Sequence, residues 1–195
     1  MTILSAVWEL GKKEIILNKT ACAVIGVSFF VLFTISGAFI RLPLPFTPVP
    51  VTLQTFTVLL AGAVLGRKLG ISSQVLYVAL GAAGLPIFAN AQAGLPYFMG
   101  PTGGYLIGFA LAAWTIGTIL GGKKAGFLKI LFAMFWGEVI LFSLGVAWLS
   151  VVLHIGLTKA ILLGLLPFIP GDIVKLLAAA ATYYEIQDRS RTIFG

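Results

Sequence analysis

Long apolar runs divided by short polar or proline-rich interruptions set the pattern of this chain. Crossing the hydrocarbon core of a bilayer takes about 20 apolar residues as a helix. From residue 20 onward the runs predict six spans: 20–40, a short one at 51–65, 71–88, 104–120, 130–153 and 160–184. Gly84 and Pro86 stop the third run, and Pro167 with Pro170-Gly171 breaks the sixth. Between the first and second runs lie four prolines within residues 43–50. Each lacks an N–H and restricts its predecessor, so this stretch is a stiff loop and not helix interior. Residues 1–19 mix Trp8, Glu9, Lys12, Lys13 and Glu14 with Ile15, Ile16 and Leu17, too polar to span. They read as a cytoplasmic or interfacial segment. The apolar run that follows is too long for a signal peptide. The expected architecture is an all-α integral membrane protein: an N-terminal segment at 1–19, then one domain of about six transmembrane helices at 20–195.

Composition fits that solvent. The 195 residues are 59% hydrophobic and 10% charged, against about 25% charged in soluble chains. After six spans, only short loops and two tails remain, with no room for a second soluble domain. One cysteine, Cys22, offers no disulfide pair or metal cluster, and one histidine, His154, makes a His-based site a poor fit. The net charge of +7 raises nucleic acid as a partner, but its distribution removes it. Ten basic residues, Lys12, Lys13, Lys19, Arg67, Lys68, Lys123, Lys124, Lys129, Arg189 and Arg191, fall on one side of the six-span arrangement. Arg41 and Lys159 fall on the other. That asymmetry follows the positive-inside rule and places both termini in the cytoplasm.

Three ionisable residues lie within the apolar runs: Glu138, Asp172 and Lys175. Such groups are costly in lipid and usually face a cavity or a partner. Asp172 and Lys175 are spaced i, i+3, on one helix face. They either neutralise each other or hold a ligand, and the helix break at Pro167–Gly171 puts them where a cavity can open. Glu138 either bonds a neighbouring Ser, Thr or Trp group or couples to a partner. The loop 89–103 is uncharged and rich in Gly, amide and aromatic groups, including Gln92, Tyr97 and Phe98. Its Gly100-Pro-Thr-Gly-Gly104 end opens a helix. Those glycines suit either an anion at a helix N-terminus or close helix packing.

Four stretches together resemble the BioY family, the biotin-specific substrate-binding (S) component of ECF-type vitamin transporters. They are Arg41-Leu-Pro-Leu-Pro-Phe-Thr-Pro-Val-Pro-Val-Thr-Leu-Gln54, Leu-Ala-Gly-Ala-Val-Leu-Gly66, Gly100-Pro-Thr-Gly-Gly-Tyr105 and Phe168-Ile-Pro-Gly-Asp172-Ile-Val-Lys175. Their order and spacing fit the family across essentially the whole chain after residue 20. The resemblance implies a six-helix fold in the bacterial cell membrane, with an extracellular-side pocket and a lid between helices one and two. It implies biotin as the transported ligand, with no cofactor, no metal and no catalysis. Its partners would be a membrane coupling protein and separate ATPase subunits. No Gly-x-x-x-x-Gly-Lys-Ser/Thr phosphate loop occurs in the chain itself.

By position, Asp172 resembles the residue that accepts hydrogen bonds from the ureido ring, and Lys175 a pocket residue near the carboxylate. Gln92 falls where an amide side chain reaches the ureido group in some members. Tyr105 and Gln54 are motif residues, and Tyr97, Phe98 and Phe46 are candidates to cover the ring and tail. The chemistry agrees. A carboxylate pairs with urea N–H donors and a cation with the ligand's carboxylate, and charge-assisted bonds are the stronger kind. Two features depart from the family pattern. Leu106 stands where some members carry a basic residue, which makes Arg41 the candidate partner of the tail carboxylate. The Ala-x-x-x-Ala face that related components use for docking is replaced by Cys22-x-x-x-Gly26. The alternatives are a solitary biotin transporter without an ATPase partner, a component for another small vitamin, and a membrane enzyme, for which one Cys, one His and no paired carboxylates offer little.

Overall fold

The computed structural model describes residues 18–194; of the cytoplasmic or interfacial segment expected at 1–19, residues 1–17 lie outside them. Helix α1 spans Lys19–Phe39, started by Asn18, whose side chain accepts from the Ala21 N–H. Capping of that kind satisfies a donor that the first turn leaves unpaired. The proline-rich stretch follows as a loop whose proline-free ends, β1 (Arg41–Leu42) and β2 (Val51–Thr52), pair antiparallel. Helical structure resumes as α2 (Gln54–Ala82), then α3 (Gly94–Phe98), α4 (Gly103–Leu120), α5 (Phe127–Val152), α6 (Leu157–Gly164) and α7 (Ile169–Phe194).

Four of these helices, α1, α2, α4 and α5, are long and apolar enough to cross a membrane, and the pair α6–α7, bent by 57°, makes up to five. Six runs are expected from sequence, and the difference lies in α2. Its continuous assignment hides a reversal at Gly66, whose φ of 72° and ψ of −176° leave the helical region. A straight helix would separate Gln54 from Tyr77 by about 34 Å, yet the Gln54 Nε2 donates to the Tyr77 Oη at 2.7 Å. The two arms therefore lie antiparallel. Glycine permits this without the steric penalty of a Cβ at positive φ. The first arm is only about a dozen residues, too short on its own for the full hydrocarbon thickness.

Small residues set how closely the spans approach. A Cβ on Gly62 would stand 2.6 Å from the Ala113 carbonyl oxygen and 2.8 Å from the Ala113 Cα, so α2 and α4 touch backbone to backbone. Gly108 of α4 meets Leu141 of α5 in the same way. Close approach of this type is how spans associate in lipid, where burial of apolar surface supplies little drive. Cys22 and Gly26 are used internally: a Cβ on Gly26 would meet the Phe194 ring at 2.6 Å, and Cys22 is buried. The neighbouring face of α1, with Val24, Ile25, Phe29 and Leu32, is exposed. Apolar surface of that extent suits lipid rather than water.

The loop 89–103 is more structured than its composition implies. It contains a 3₁₀ turn at Ala89–Ala91 and the short helix α3, in which Pro96 occupies the first turn. The glycines that open α4 serve packing. A Cβ on Gly104 would run into the Trp148 side chain and the Leu144 carbonyl, and the Trp148 Nε1 donates to the Gly100 carbonyl at 2.9 Å.

Candidate functional site

The proline-rich loop, the first turn of α2 and the first turn of α7 converge on a small cavity of about 50 Å³. Val49, Pro50 and Thr52 close one side; Gln54, Thr55 and Tyr77 come from α2, and Tyr105 and Phe109 from α4. Phe142 of α5, Phe168, Asp172 and Lys175 complete the opposite wall, and Tyr97 of α3 reaches in from the loop. Few polar groups on an apolar wall is the usual make-up of a small-ligand site.

The polar centre is a four-residue network. Asp172 is only 2% exposed. It forms an ion pair with Lys175 one helical turn on. Its Oδ1 also accepts from the Thr55 hydroxyl at 2.7 Å. Lys175 donates in turn to the Thr55 Oγ1 at 2.6 Å and to the Thr52 carbonyl at 3.0 Å. An ammonium has three donors, and all three are engaged within the protein. Asp172 Oδ2, by contrast, is buried with no hydrogen-bond partner among the described residues. An unpartnered buried carboxylate oxygen is an acceptor waiting for a donor. Of the two sequence readings of this pair, the structure shows the neutralisation, in which Lys175 meets Asp172 through one oxygen; the ligand reading turns on the other oxygen.

Around this centre, Gln54 accepts from the Thr52 hydroxyl at 3.2 Å and is fixed by Tyr77, which itself donates to the Ile87 carbonyl at 3.2 Å. Tyr105 donates to the Gly164 carbonyl at 2.6 Å, tying α4 to α6. Its ring forms an edge contact with Phe142. Tyr97 stacks on Phe88 with centroids 5.2 Å apart. Burial pushes the Tyr97 phenol above its ordinary range, opposed in part by the nearby charge of Arg41.

Of the residues singled out by sequence, Asp172, Lys175, Tyr105, Gln54 and Tyr97 are brought to the cavity. Four are not among its lining. Phe46 is 58% exposed in the proline-rich loop. Arg41 is exposed on β1 at the rim, and Gln92 is exposed, held through its backbone to Phe88. Phe98 packs beside the core without lining the cavity. Sequence reasoning missed Thr55, Thr52 and Tyr77. Thr52 lies inside the quoted Pro-rich motif and Thr55 one residue beyond its end, while Tyr77 is a phenol buried within the run 71–88.

Glu138 takes another place. It lines a larger apolar groove, about 930 Å³, between α5, α6 and α7. Its Oε1 is buried without a partner among the described residues. Asp172 and Phe142 form the wall shared by groove and cavity.

The sequence is 45% identical over 151 residues to the biotin transporter BioY of Thermotoga maritima, covering 77% of this chain and 87% of that one. It is 43% identical over 163 residues to a probable biotin transporter BioY of Pyrococcus horikoshii, covering 84% and 92%. The fold matches a crystal structure of the S-component for biotin from an ECF-type ABC transporter. The TM-score is 0.82 and the identity 28%, over 88% of this chain and 93% of that one. The BioY family profile matches residues 12–192, and the chain, a multi-pass membrane protein, belongs to the BioY family.

Proposed function

We propose that this protein captures biotin at the outer face of the membrane as the S component of an ECF-type transporter. The observation that carries the reading is the buried Oδ2 of Asp172, without a partner among the described residues, in a mostly apolar cavity, in a chain similar to a biotin transporter and a probable biotin transporter. Biotin offers a urea edge with two N–H donors on an apolar bicycle, and a carboxylate on an aliphatic tail. Oδ2 takes a ureido N–H. Gln54, Tyr97 and Tyr105 bound the polar end, while Phe109, Phe142 and Phe168 surround the bicycle. The tail runs toward the lid, where Arg41, exposed at the rim, meets the carboxylate; Lys175 holds Asp172 instead. The cavity is smaller than the ligand, so entry requires the proline-rich loop to lift. Phe46 and Gln92 come to the ligand only as that loop and its neighbour rearrange.

The helices pass the bilayer six times when the arms of α2 are counted separately, with both termini in the cytoplasm. The chain performs no chemistry and needs no cofactor. A membrane coupling protein and ATPase subunits supply the energy, and the exposed apolar face of α1 is available for docking.

Purification in detergent followed by native mass spectrometry and a competition panel of small vitamins tests this reading. Biotin retained at one per chain and displaced only by biotin analogues is expected. Preferential retention of a different vitamin contradicts it. Copurification with ATPase subunits supports the ECF assignment, and biotin uptake in cells lacking those subunits favours a solitary transporter.

A further inference from the structure

We propose that Thr55 is a positioning residue for ligand recognition: its hydroxyl fixes the plane of the Asp172 carboxylate and so the direction in which the oxygen facing the ligand is presented. The inference rests on the biotin reading and deepens it. A carboxylate on a short side chain turns about a terminal torsion that is broad and roughly two-fold. Left alone, the carboxylate plane would turn, and Lys175 would draw on both oxygens. The network prevents this. Thr55 has one hydroxyl proton, and it is given to Asp172 Oδ1 at 2.7 Å. The lone pair of the same oxygen receives Lys175 at 2.6 Å, so the hydroxyl is held from both sides and cannot redirect.

Lys175 is drawn away from Oδ2 by its further bond to the Thr52 carbonyl. The result is a carboxylate with one oxygen saturated and the other bare. Thr55 stands in the first turn of α2, three residues after Thr52 of β2. It is 117 residues from Asp172 in sequence. The orientation of the acceptor on α7 is thereby tied to the end of the lid.

The test measures binding of biotin, and of a biotin analogue methylated on one ureido nitrogen, to the full-length protein in nanodiscs. The variants are Thr55→Val, which keeps the branched shape without the hydroxyl, and Thr55→Ser, which restores it. Val is expected to weaken biotin about 10- to 150-fold, the range for loss of one hydrogen bond to a charged group. Ser is expected to stay within a few fold of wild type. The affinity penalty for methylation should be large in wild type and in Ser but much smaller in Val, because a misdirected acceptor no longer distinguishes the two ligands. A merely structural role for Thr55 would lower thermal stability in Val and leave that penalty unchanged, which overturns the inference. Should Val fail to fold, Thr55→Cys, with a weak donor of similar size, provides the same comparison. Failure of wild type to bind biotin sinks the biotin reading and this inference together. Wild-type binding with an unaltered Val variant sinks this inference alone.

Discussion

Replacing Lys175 with Met puts the central network under the sharpest stress. The side chain of Asp172 is 3% exposed and that of Lys175 11%, so the pair is a buried one. Removing one partner of a buried pair leaves an uncompensated charge and typically costs about 3–5 kcal/mol. After Lys175→Met, the Asp172 carboxylate keeps only the Thr55 hydroxyl. A loss toward the upper part of that range is expected, a large share of the roughly 5–15 kcal/mol that holds a domain folded. Asp172→Asn also leaves a charge, the Lys175 ammonium, without its counter-ion, and should cost about 3 kcal/mol, the lower end of that range. The amide oxygen still accepts from Thr55, and Lys175 retains the Thr52 carbonyl and the Thr55 oxygen. The double variant carries no buried charge and should recover most of the Lys175→Met loss, giving a coupling of opposite sign to the single effects. Reversible unfolding in mixed micelles reads all four proteins, and biotin affinity is measured on the same preparations. The double variant should regain stability without regaining ligand. A Lys175→Met protein within 1 kcal/mol of wild type would refute the reasoning, as would a stable double variant with intact biotin affinity.

Three further outcomes are expected. Replacing Pro48 and Pro50 with Ala should accelerate biotin release while folded yield holds, because Pro50 lines the cavity and stiffens its lid; unchanged dissociation kinetics would remove the lid role. Gly62→Ala should destabilise by about 1–3 kcal/mol, since its Cβ would stand 2.6 Å from the Ala113 carbonyl oxygen, whereas Gly156→Ala, with nothing within 4 Å, should be near neutral. In a Cys22→Ser background, single cysteines replacing the exposed Arg67 or Lys123 should resist impermeant thiol reagents in intact cells, and one at the exposed Leu95 should label; the reverse pattern would invert the topology.

The spans at α1, α4 and α5 were legible because apolar runs of sufficient length leave a bilayer helix as the obvious structure. The reversal in α2 was legible only as a boundary. Arg67-Lys68 marks a turn between two short runs, but that the turn consists of one glycine at positive φ is a backbone fact that hydropathy does not carry. Within the site, Asp172 and Lys175 stood out because charge in lipid is expensive. Thr55 and Tyr77 did not, because a hydroxyl in a span is as often satisfied by its own helix as by a distant partner. Thr115 and Thr118 do just that, each bonding the carbonyl four residues back. Gln92 and Phe46 illustrate the converse. Each lies within a few residues of a lining residue, yet direction in a loop is set by individual dihedrals. Positive φ at Asn90 and Ala91 precedes the exposed Gln92.

The most direct test of the account is the biotin affinity of Asp172→Asn beside wild type in nanodiscs, with ligand-free stability recorded for both. One bond from a charged acceptor contributes about 1.5–3 kcal/mol, so affinity should fall about 10- to 150-fold while the protein, less stable by about 3 kcal/mol, stays folded. Undiminished biotin binding by a folded Asp172→Asn protein would contradict the claim that the bare oxygen of Asp172 receives the ligand.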